Sequence, residues 1–549
     1  MQPLYKVWVE KSYYQEELAQ LTSTDIEDCF YQAVPFGTGG MRGKLGAGTN
    51  RINVHTIRLV AEGLAQQIKA QGELAMARGV VIAYDTRHFS QEFAYETAGV
   101  LIQHQIQAYV MTESRPTPEL SFAVRYFNAM AGVVITASHN PKEYNGFKVY
   151  GDDGAQLTPQ FADEIVAYMN AVEDIFAIPS LTLVEVQQSA LCVEVLEKID
   201  VPYERAVATL SSTSNNKAFP IVYTPLHGSG LIPTTRILQN AGFSNVFVVE
   251  EQAVQDGTFP TVTSPNPEEA DSFKLAMELG RQKAAKLLLA TDPDADRLGV
   301  AVWAGEDYQL LNGNQLGALL LHYILSTREI PENAAMLKTI VTSEFGTAIA
   351  KHFKVETFSL LTGFKFIAEK IAEWEKTGDY QFMFGYEESY GYLAGDFVRD
   401  KDAVQIALLT AEMGAYYDAQ GKTLLDALHA LYEQFGYYQE ALISKTFEGI
   451  EGQKKIKQIM HTFRQNSPIA FAGVDVVKVE DYLPESIDGL PTADVIKFNL
   501  SNGAWICVRP SGTEPKCKFY IGVKSNSFDQ SQEMISRLRE EILMIITKI

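Results

Sequence analysis

The chain has 549 residues, 46% hydrophobic and 21% charged, with a formal net charge of −22. That length exceeds what one hydrophobic core supports and implies three or four domains of ordinary globular composition. The acidic balance excludes general binding to nucleic acid or anionic membranes, because both need basic surface, and it obliges any anion site to gather Arg, Lys and helix N-termini locally. The four cysteines (Cys29, Cys192, Cys507, Cys517) lack metal-ligand spacing and fit a reducing compartment. The opening residues do not have the basic-then-apolar profile of a signal peptide, and no apolar run approaches the roughly 20 residues of a membrane span. A soluble, cytoplasmic protein is expected.

Residues 1–32 read as a charged helical arm. The glycine-rich stretch "FGTGGMRGKLGAGTNRIN" follows, carrying Arg42, Lys44 and Arg51. Its glycines allow close backbone approach to an anion and its arginines offer a bidentate fork, although a plain surface loop has the same composition. Apolar spacing from Val54 to Ala70 predicts an amphipathic helix, "GVVIAYDTR" a strand ending at Asp85 and Arg87, and Ser90 the cap of a second helix. Strands alternating with helices predict a mostly parallel, doubly wound sheet, whose ligands bind beyond the strands' carboxyl ends. Arg87, His88 and Arg115 lie in such loops, as site residues or as ordinary loop residues.

The stretch "VVITASHNPKEYNGFKVY" leaves a buried strand through Thr136, Ala137, Ser138, His139, Asn140 and Pro141. The proline removes a donor and keeps Asn140 out of helix, so the turn is sharp. A hydroxyl there, beside an imidazole, an amide and exposed N–H groups, is placed to attack or carry a phosphoryl group. Lys148 in the same stretch is a substrate-binding candidate.

A second unit begins near Val207, and "AAKLLLATDPDADRLGVAVWA" reads as strand, acidic loop, strand. Asp292, Asp294 and Asp296 can converge on one cation. The absence of calcium-loop glycine and Glu spacing favours Mg²⁺, with one ion per chain expected. A third alternating unit runs into "GYEESYGYLAGDFVRDKDA", where Glu387, Glu388 and Ser389 offer acceptors for sugar hydroxyls and Tyr390 an apolar face. Lys401, between Asp400 and Asp402, reads as a base or as a salt-bridged helix start. From about Gly436 the strands and a final helix predict an antiparallel sheet with helices on one face, and "RPSGTEP" (Arg509, Ser511, Gly512, Thr513) has the inventory of a phosphate cradle.

"TASHNP", "DPDADR", "EESYG" and "RPSGTEPK", with "FGTGGMRG" before them, stand in the order and spacing of the α-D-phosphohexomutase superfamily, which the chain resembles. The resemblance implies three mixed or parallel α/β domains plus a C-terminal α+β domain around a central cleft. Expected boundaries are 1–205 for the phosphoserine domain, 206–310 for the metal domain, 311–435 for the sugar domain and 436–549 for the phosphate domain. It implies that Ser138 is the phosphoserine and a metal ligand with the three aspartates. Arg42 and His139 would assist it, and Arg297 would lie beside the metal loop. Thr362, Gly363, Glu387 and Ser389 would hold the sugar, and Arg509, Ser511, Gly512 and Thr513 the other phosphate. Lys401 matches a lysine regarded as a proton acceptor.

In Gly385-Tyr386-Glu387-Glu388 a tyrosine stands where the commoner glucose-type pattern runs Gly directly into Glu-Glu, and Lys518 stands where arginine is common. The first feature resembles a branch holding bacterial phosphoglucomutases, phosphopentomutases and a glucose-1,6-bisphosphate synthase. The expected reaction is interchange of glucose 1-phosphate and glucose 6-phosphate, with glucose 1,6-bisphosphate as intermediate and activator. Alternatives are a pentose-phosphate mutase, a bisphosphate synthase, a serine metallophosphatase or a non-catalytic sugar-phosphate sensor. Expected partners are small sugar phosphates, neither nucleic acid nor membrane, in a monomer or homodimer.

Overall fold

The computed structural model describes residues 2–37, 39–212, 216–447, 449–511 and 516–549. Two compact units emerge: Met1–Asn312 with Ala368–Thr377 and Ser389–Gly421, and Gly313–Ile367 with Gly378–Glu388 and Lys422–Ile549. Among the described residues no helix is long and apolar enough to cross a membrane.

In the first unit, strands Val80–Tyr84 and Ala131–Ile135 are buried along their whole length. Apolar runs of this kind sit where helices cover both faces of a parallel sheet. Alternation divides them: Val80, Ile82, Val133 and Ile135 face helices Val54–Ala70 and Ser90–Gln103. Val81, Ala83 and Val134 face helix Thr117–Phe127. Asn53 caps the first of these helices, accepting from the N–H groups of His55 and Thr56 at 3.1 Å each. Ser90 is not the expected cap. It is the first helical residue, and its hydroxyl donates to Asp85 at 2.8 Å because that buried carboxylate needs donors.

Two further strands join this sheet, one of them in the glycine-rich stretch that also read as a plain surface loop. Gly40–Lys44 and Tyr144–Tyr150 pair antiparallel with each other, and the second also pairs with Ala131–Ile135, so the sheet is mixed. In that register Arg42 faces Gly146 and Gly40 faces Lys148. Glycine is required at Gly40, where a Cβ would meet the Phe147 carbonyl at 2.3 Å. A second sheet centres on Leu287–Thr291, parallel to Ile221–Thr224 and antiparallel to Leu298–Trp303, so the acidic loop is the connection of a hairpin.

In the second unit, Ala334–Thr339 lies between Glu356–Leu360 and Gln381–Glu387, all parallel. The remaining sheet is antiparallel, in the order Tyr437–Thr446, Lys516–Ser525, Trp505–Pro510, Ile496–Leu500, Val474–Asp481, Ala470–Phe471. Helices Gly449–Gln465 and Phe528–Lys548 cover one face through Met460, Phe463, Leu538 and Ile542. Trp505, Cys507 and Tyr520 on the other face pack with Ile340, Val341 and Leu361.

Burial pushes the Glu440 carboxyl up to about 7, against hydrogen bonds from Ser343 and Asn314. A folded-state value above the unfolded one favours the native state at low pH, and that contribution is lost as pH rises through about 7. Glu440→Gln is therefore expected to raise the melting temperature at pH ~8 by more than at pH ~5. Thermal unfolding at both pH values checks this, and equal shifts would contradict it.

Candidate active site

The nucleophile candidate sits just past strand Ala131–Ile135. Ser138 is 2% exposed and holds φ at 54°, the left-handed region that costs a side chain conformational energy. Its N–H donates to Thr136 Oγ1 at 2.8 Å, and its hydroxyl donates to Asp292 Oδ2 at 2.7 Å. His139 Nδ1 lies 3.1 Å from the same hydroxyl oxygen. Burial, with Arg297 and Arg42 nearby, moves the His139 imidazole well below its usual value, so it is neutral and available as a proton acceptor.

The acidic loop folds around Ala295, whose φ of 48° turns the chain so that the three carboxylates converge. Their oxygens lie within 4.8 Å of one another, and all three residues are buried. Asp292 Oδ1 accepts from the N–H groups of Asp296 (3.1 Å) and Arg297 (3.0 Å). Asp294 Oδ2 accepts from Thr117 Oγ1 at 2.9 Å and Lys148 Nζ at 2.8 Å. Asp296 Oδ2 lies 3.2 Å from Lys401 Nζ and 3.4 Å from Lys148 Nζ. The Oδ1 atoms of Asp294 and Asp296 are buried with no hydrogen-bond partner. Orphaned carboxylate oxygens in a dry site are expensive unless a cation takes them. An all-oxygen donor set with two unused oxygens suits one hard divalent ion.

Burial and repulsion from Asp294 and Asp296 drive the Asp292 carboxyl well above its usual value. Burial works the same way on Asp296, but Lys401, Lys148 and Arg297 outweigh it and hold that carboxyl below its usual value.

Cations surround this centre. Arg42 donates to Asn140 Oδ1 at 3.1 Å, and Arg297 pairs with Glu268 at 2.6 Å. Lys401 also lies 2.9 Å from Asp400 Oδ1. A Cβ on Gly391 would lie 2.2 Å from Lys401 Cδ, so that glycine leaves room for the lysine to reach Asp296. Of the other basic residues weighed from sequence, Arg51 pairs with Asp28, Arg115 grips Asp200 through two bonds (2.9 and 2.8 Å), and Lys44 and His88 are exposed. Arg87 is buried beneath the serine turn.

In the second unit, Gly363 adopts φ of 119° and its N–H donates to Glu387 Oε1 at 3.0 Å. Arg509 donates to the Thr362 hydroxyl, and the Ser511 N–H to the Lys516 carbonyl at 2.8 Å. Thr362, Gly363 and Glu387 are thus joined to Arg509. Glu388 lies near the hydroxyls of Thr339 and Thr342 (3.4 and 3.3 Å). Tyr386 points the other way along its strand, wedged where a Cβ on Gly317 or Gly346 would strike its ring at 2.4 Å or its hydroxyl at 2.5 Å. The tyrosine of the Gly-Tyr-Glu-Glu sequence is therefore a core residue. Lys518 pairs with Arg509 across adjacent strands. Ser389 is half-buried in the first unit, and Gly512 and Thr513 lie outside the described residues.

Four domain models match the chain in order: phosphoglucomutase/phosphomannomutase alpha/beta/alpha domains I, II and III at residues 33–175, 202–305 and 312–435, and the C-terminal domain at 454–539. The chain belongs to the phosphoglucomutase/phosphomannomutase family. Phosphoglucomutase of Staphylococcus aureus (strain bovine RF122 / ET3-1) is 39% identical over 548 residues, covering 97% of this chain and 98% of its own. The solved structure of a putative phosphomannomutase from Thermus thermophilus shares the fold with a TM-score of 0.71 at 21% identity, covering 94% of this chain and 99% of that one. The open form of pp63/parafusin from Paramecium does so with a TM-score of 0.67 at 18% identity, covering 94% of each chain.

Membership of the phosphoglucomutase/phosphomannomutase family bears out the α-D-phosphohexomutase resemblance and the α/β fold class. Sequence reasoning missed Thr117, which opens a helix and donates from its hydroxyl to Asp294 Oδ2 and from its N–H to the Asp294 carbonyl (both 2.9 Å). The "RPTPEL" stretch, with Pro at the helix start, was the available signal.

Proposed function

We propose that the protein is a phosphoglucomutase, an isomerase that interconverts glucose 1-phosphate and glucose 6-phosphate through glucose 1,6-bisphosphate. The observation carrying this reading is the Ser138 hydroxyl, 2.7 Å from Asp292 in a cluster with two unused buried carboxylate oxygens. Ser138, phosphorylated in the working enzyme, passes its phosphoryl group in line to a free sugar hydroxyl. The bond from phosphorus to Oγ breaks as the bond to the sugar oxygen forms. In the return step the Ser138 hydroxyl attacks the other phosphate of the bisphosphate.

His139 Nδ1, 3.1 Å from Oγ, takes the serine proton in that return step and gives it back in the forward one. Mg²⁺ held by Asp292, Asp294, Asp296 and the Ser138 group would supply Lewis-acid stabilisation of phosphoryl charge. Arg42, Lys148 and Arg297 add fixed positive charge around the phosphoryl group. Lys401, ion-paired with Asp296 and Asp400, is the candidate that receives the sugar hydroxyl proton, once its ammonium has passed its own proton to one of those carboxylates. Thr362, Gly363, Glu387, Ser389, Arg509, Ser511, Gly512 and Thr513 are assigned to sugar and phosphate binding. Identity of 39% over nearly the full length of a protein named phosphoglucomutase supports the choice of sugar.

Initial rates with glucose 1-phosphate, mannose 1-phosphate and ribose 1-phosphate, each with and without the matching bisphosphate, test the reading. Glucose 1-phosphate is expected to turn over fastest and to be stimulated by glucose 1,6-bisphosphate. Faster turnover of ribose 1-phosphate would make the enzyme a pentose-phosphate mutase instead.

A further inference from the structure

Arg87 has no place in the reaction just described, yet the serine turn is built on it. Its side chain is fully buried, with Nε 3.3 Å from Asp85 Oδ2. Nη1 donates to the carbonyls of Pro141 (2.9 Å) and Tyr144 (3.0 Å), and Nη2 to those of Ser138 and Asn140. One guanidinium thus collects four carbonyls from a single turn. Asp85 accepts in addition from the Arg87 N–H (2.9 Å), the Ser90 hydroxyl (2.8 Å) and the Thr136 hydroxyl (2.6 Å). Thr136 Oγ1 is the atom that receives the Ser138 N–H. Asp85, Arg87, Thr136 and Ser138 therefore form one closed network.

A later segment closes over this network. The Phe259 ring centre lies 5.0 Å from the Arg87 guanidinium carbon, and Ser264 Oγ donates to the His139 carbonyl at 3.0 Å. A Cβ on Gly257 would lie 2.9 Å from the Arg87 carbonyl carbon, so the covering chain is packed to contact.

The turn needs such support for two reasons. Ser138 occupies the left-handed region without being glycine, a backbone conformation that costs a side chain energy. Pro141 has no N–H, and buried carbonyls without donors are costly. A planar fork satisfies several carbonyls at once, which a lysine's point charge does not.

We infer that Arg87 is a positioning residue for phosphoryl transfer: acting through the turn and not on the substrate, it holds the Ser138 hydroxyl against Asp292 and beside His139. The inference rests on the reading of Ser138 as the phosphoryl carrier. Displacing a reacting group by about 1 Å can cost about 100-fold in rate. Arg87→Lys and Arg87→Met in the full chain are therefore expected to lower kcat by about 100-fold. KM for glucose 1-phosphate should stay within about threefold, because uniform binding is untouched, and lysine should not rescue.

The test is steady-state kinetics on folded protein, checked by thermal melts, with Ser138→Ala alongside. A lower melting temperature with kcat kept within about threefold would overturn the inference, leaving Arg87 a stabiliser only. A raised KM at unchanged kcat would also overturn it, by placing Arg87 on the substrate. If neither Arg87 variant folds, Thr136→Val, which cuts the same network at its other end, decides: the same loss of kcat supports the inference and unchanged kcat overturns it. Turnover by Ser138→Ala would instead remove the functional reading on which the inference stands.

Discussion

Replacing Ser138 with Ala is expected to lower turnover by about 10⁴-fold or more while leaving affinity for glucose 1-phosphate within a few-fold. The asymmetry follows from the site. The hydroxyl has two proton acceptors in reach, Asp292 Oδ2 at 2.7 Å and His139 Nδ1 at 3.1 Å, and it lies beside the one described cluster of carboxylates suited to a metal. Alanine removes the atom proposed to carry phosphorus and leaves the cations proposed to draw an anionic substrate. Steady-state rates with calorimetric binding check both halves. Near-normal turnover by the alanine variant would end the phosphoserine reading, since no second hydroxyl in the described site occupies that position.

Removing divalent ions is expected to produce the second large effect, seen in stability as well as in rate. The three aspartates are buried, and Asp294 and Asp296 each keep an oxygen without a hydrogen-bond partner. Lys148 and Lys401 pair with Asp294 and Asp296, while burial, and after it repulsion from those two aspartates, holds Asp292 well above the usual carboxylate range. A cation that binds the folded state stabilises it by mass action, by about 2.7 kcal/mol at a hundredfold excess over Kd. The expectation is that chelator lowers both the melting temperature and activity, that added Mg²⁺ restores them, and that Asp294→Asn abolishes the Mg²⁺-dependent rise in melting temperature. A variant that kept the full rise would show that the ion binds elsewhere.

Much of this site could be read in the chain before folding was considered. An apolar strand, a turn closed by proline and an acidic triplet between two strands each announce their position through composition alone. What the sequence withheld was direction. Arg42, inside strand Gly40–Lys44, and Arg87, just past Val80–Tyr84, both read as arginines of polar stretches, yet the first reaches Asn140 and the second is buried beneath the turn. Nothing local to either separates them, because the choice is made by which carbonyls the distant turn leaves without donors. Strand Gly40–Lys44 was hidden for a related reason. Glycine disfavours strands in isolation, but here a neighbouring backbone passes too close for any Cβ. Tyr386 looked like a departure at the sugar loop, and strand alternation turns it into the core instead. Glu440 gave no signal at all, since its burial comes with partners about a hundred positions or more earlier in the chain.

The mixed sheet fixes more than architecture. Because Arg42 stands opposite Gly146, and Lys148 follows two positions along the same strand, both cations project from one side of the ladder. Their spacing is therefore set by backbone pairing and is independent of how either side chain is packed. Slippage by a single residue would throw one of them onto the far side and, on the proposed reading, remove one of the three cations set around the phosphoryl group. Length variation is resisted even at the exposed residues Pro141 to Glu143, because the Pro141 carbonyl accepts from Arg87 at 2.9 Å and the Glu143 carbonyl from the Leu45 N–H at 2.7 Å.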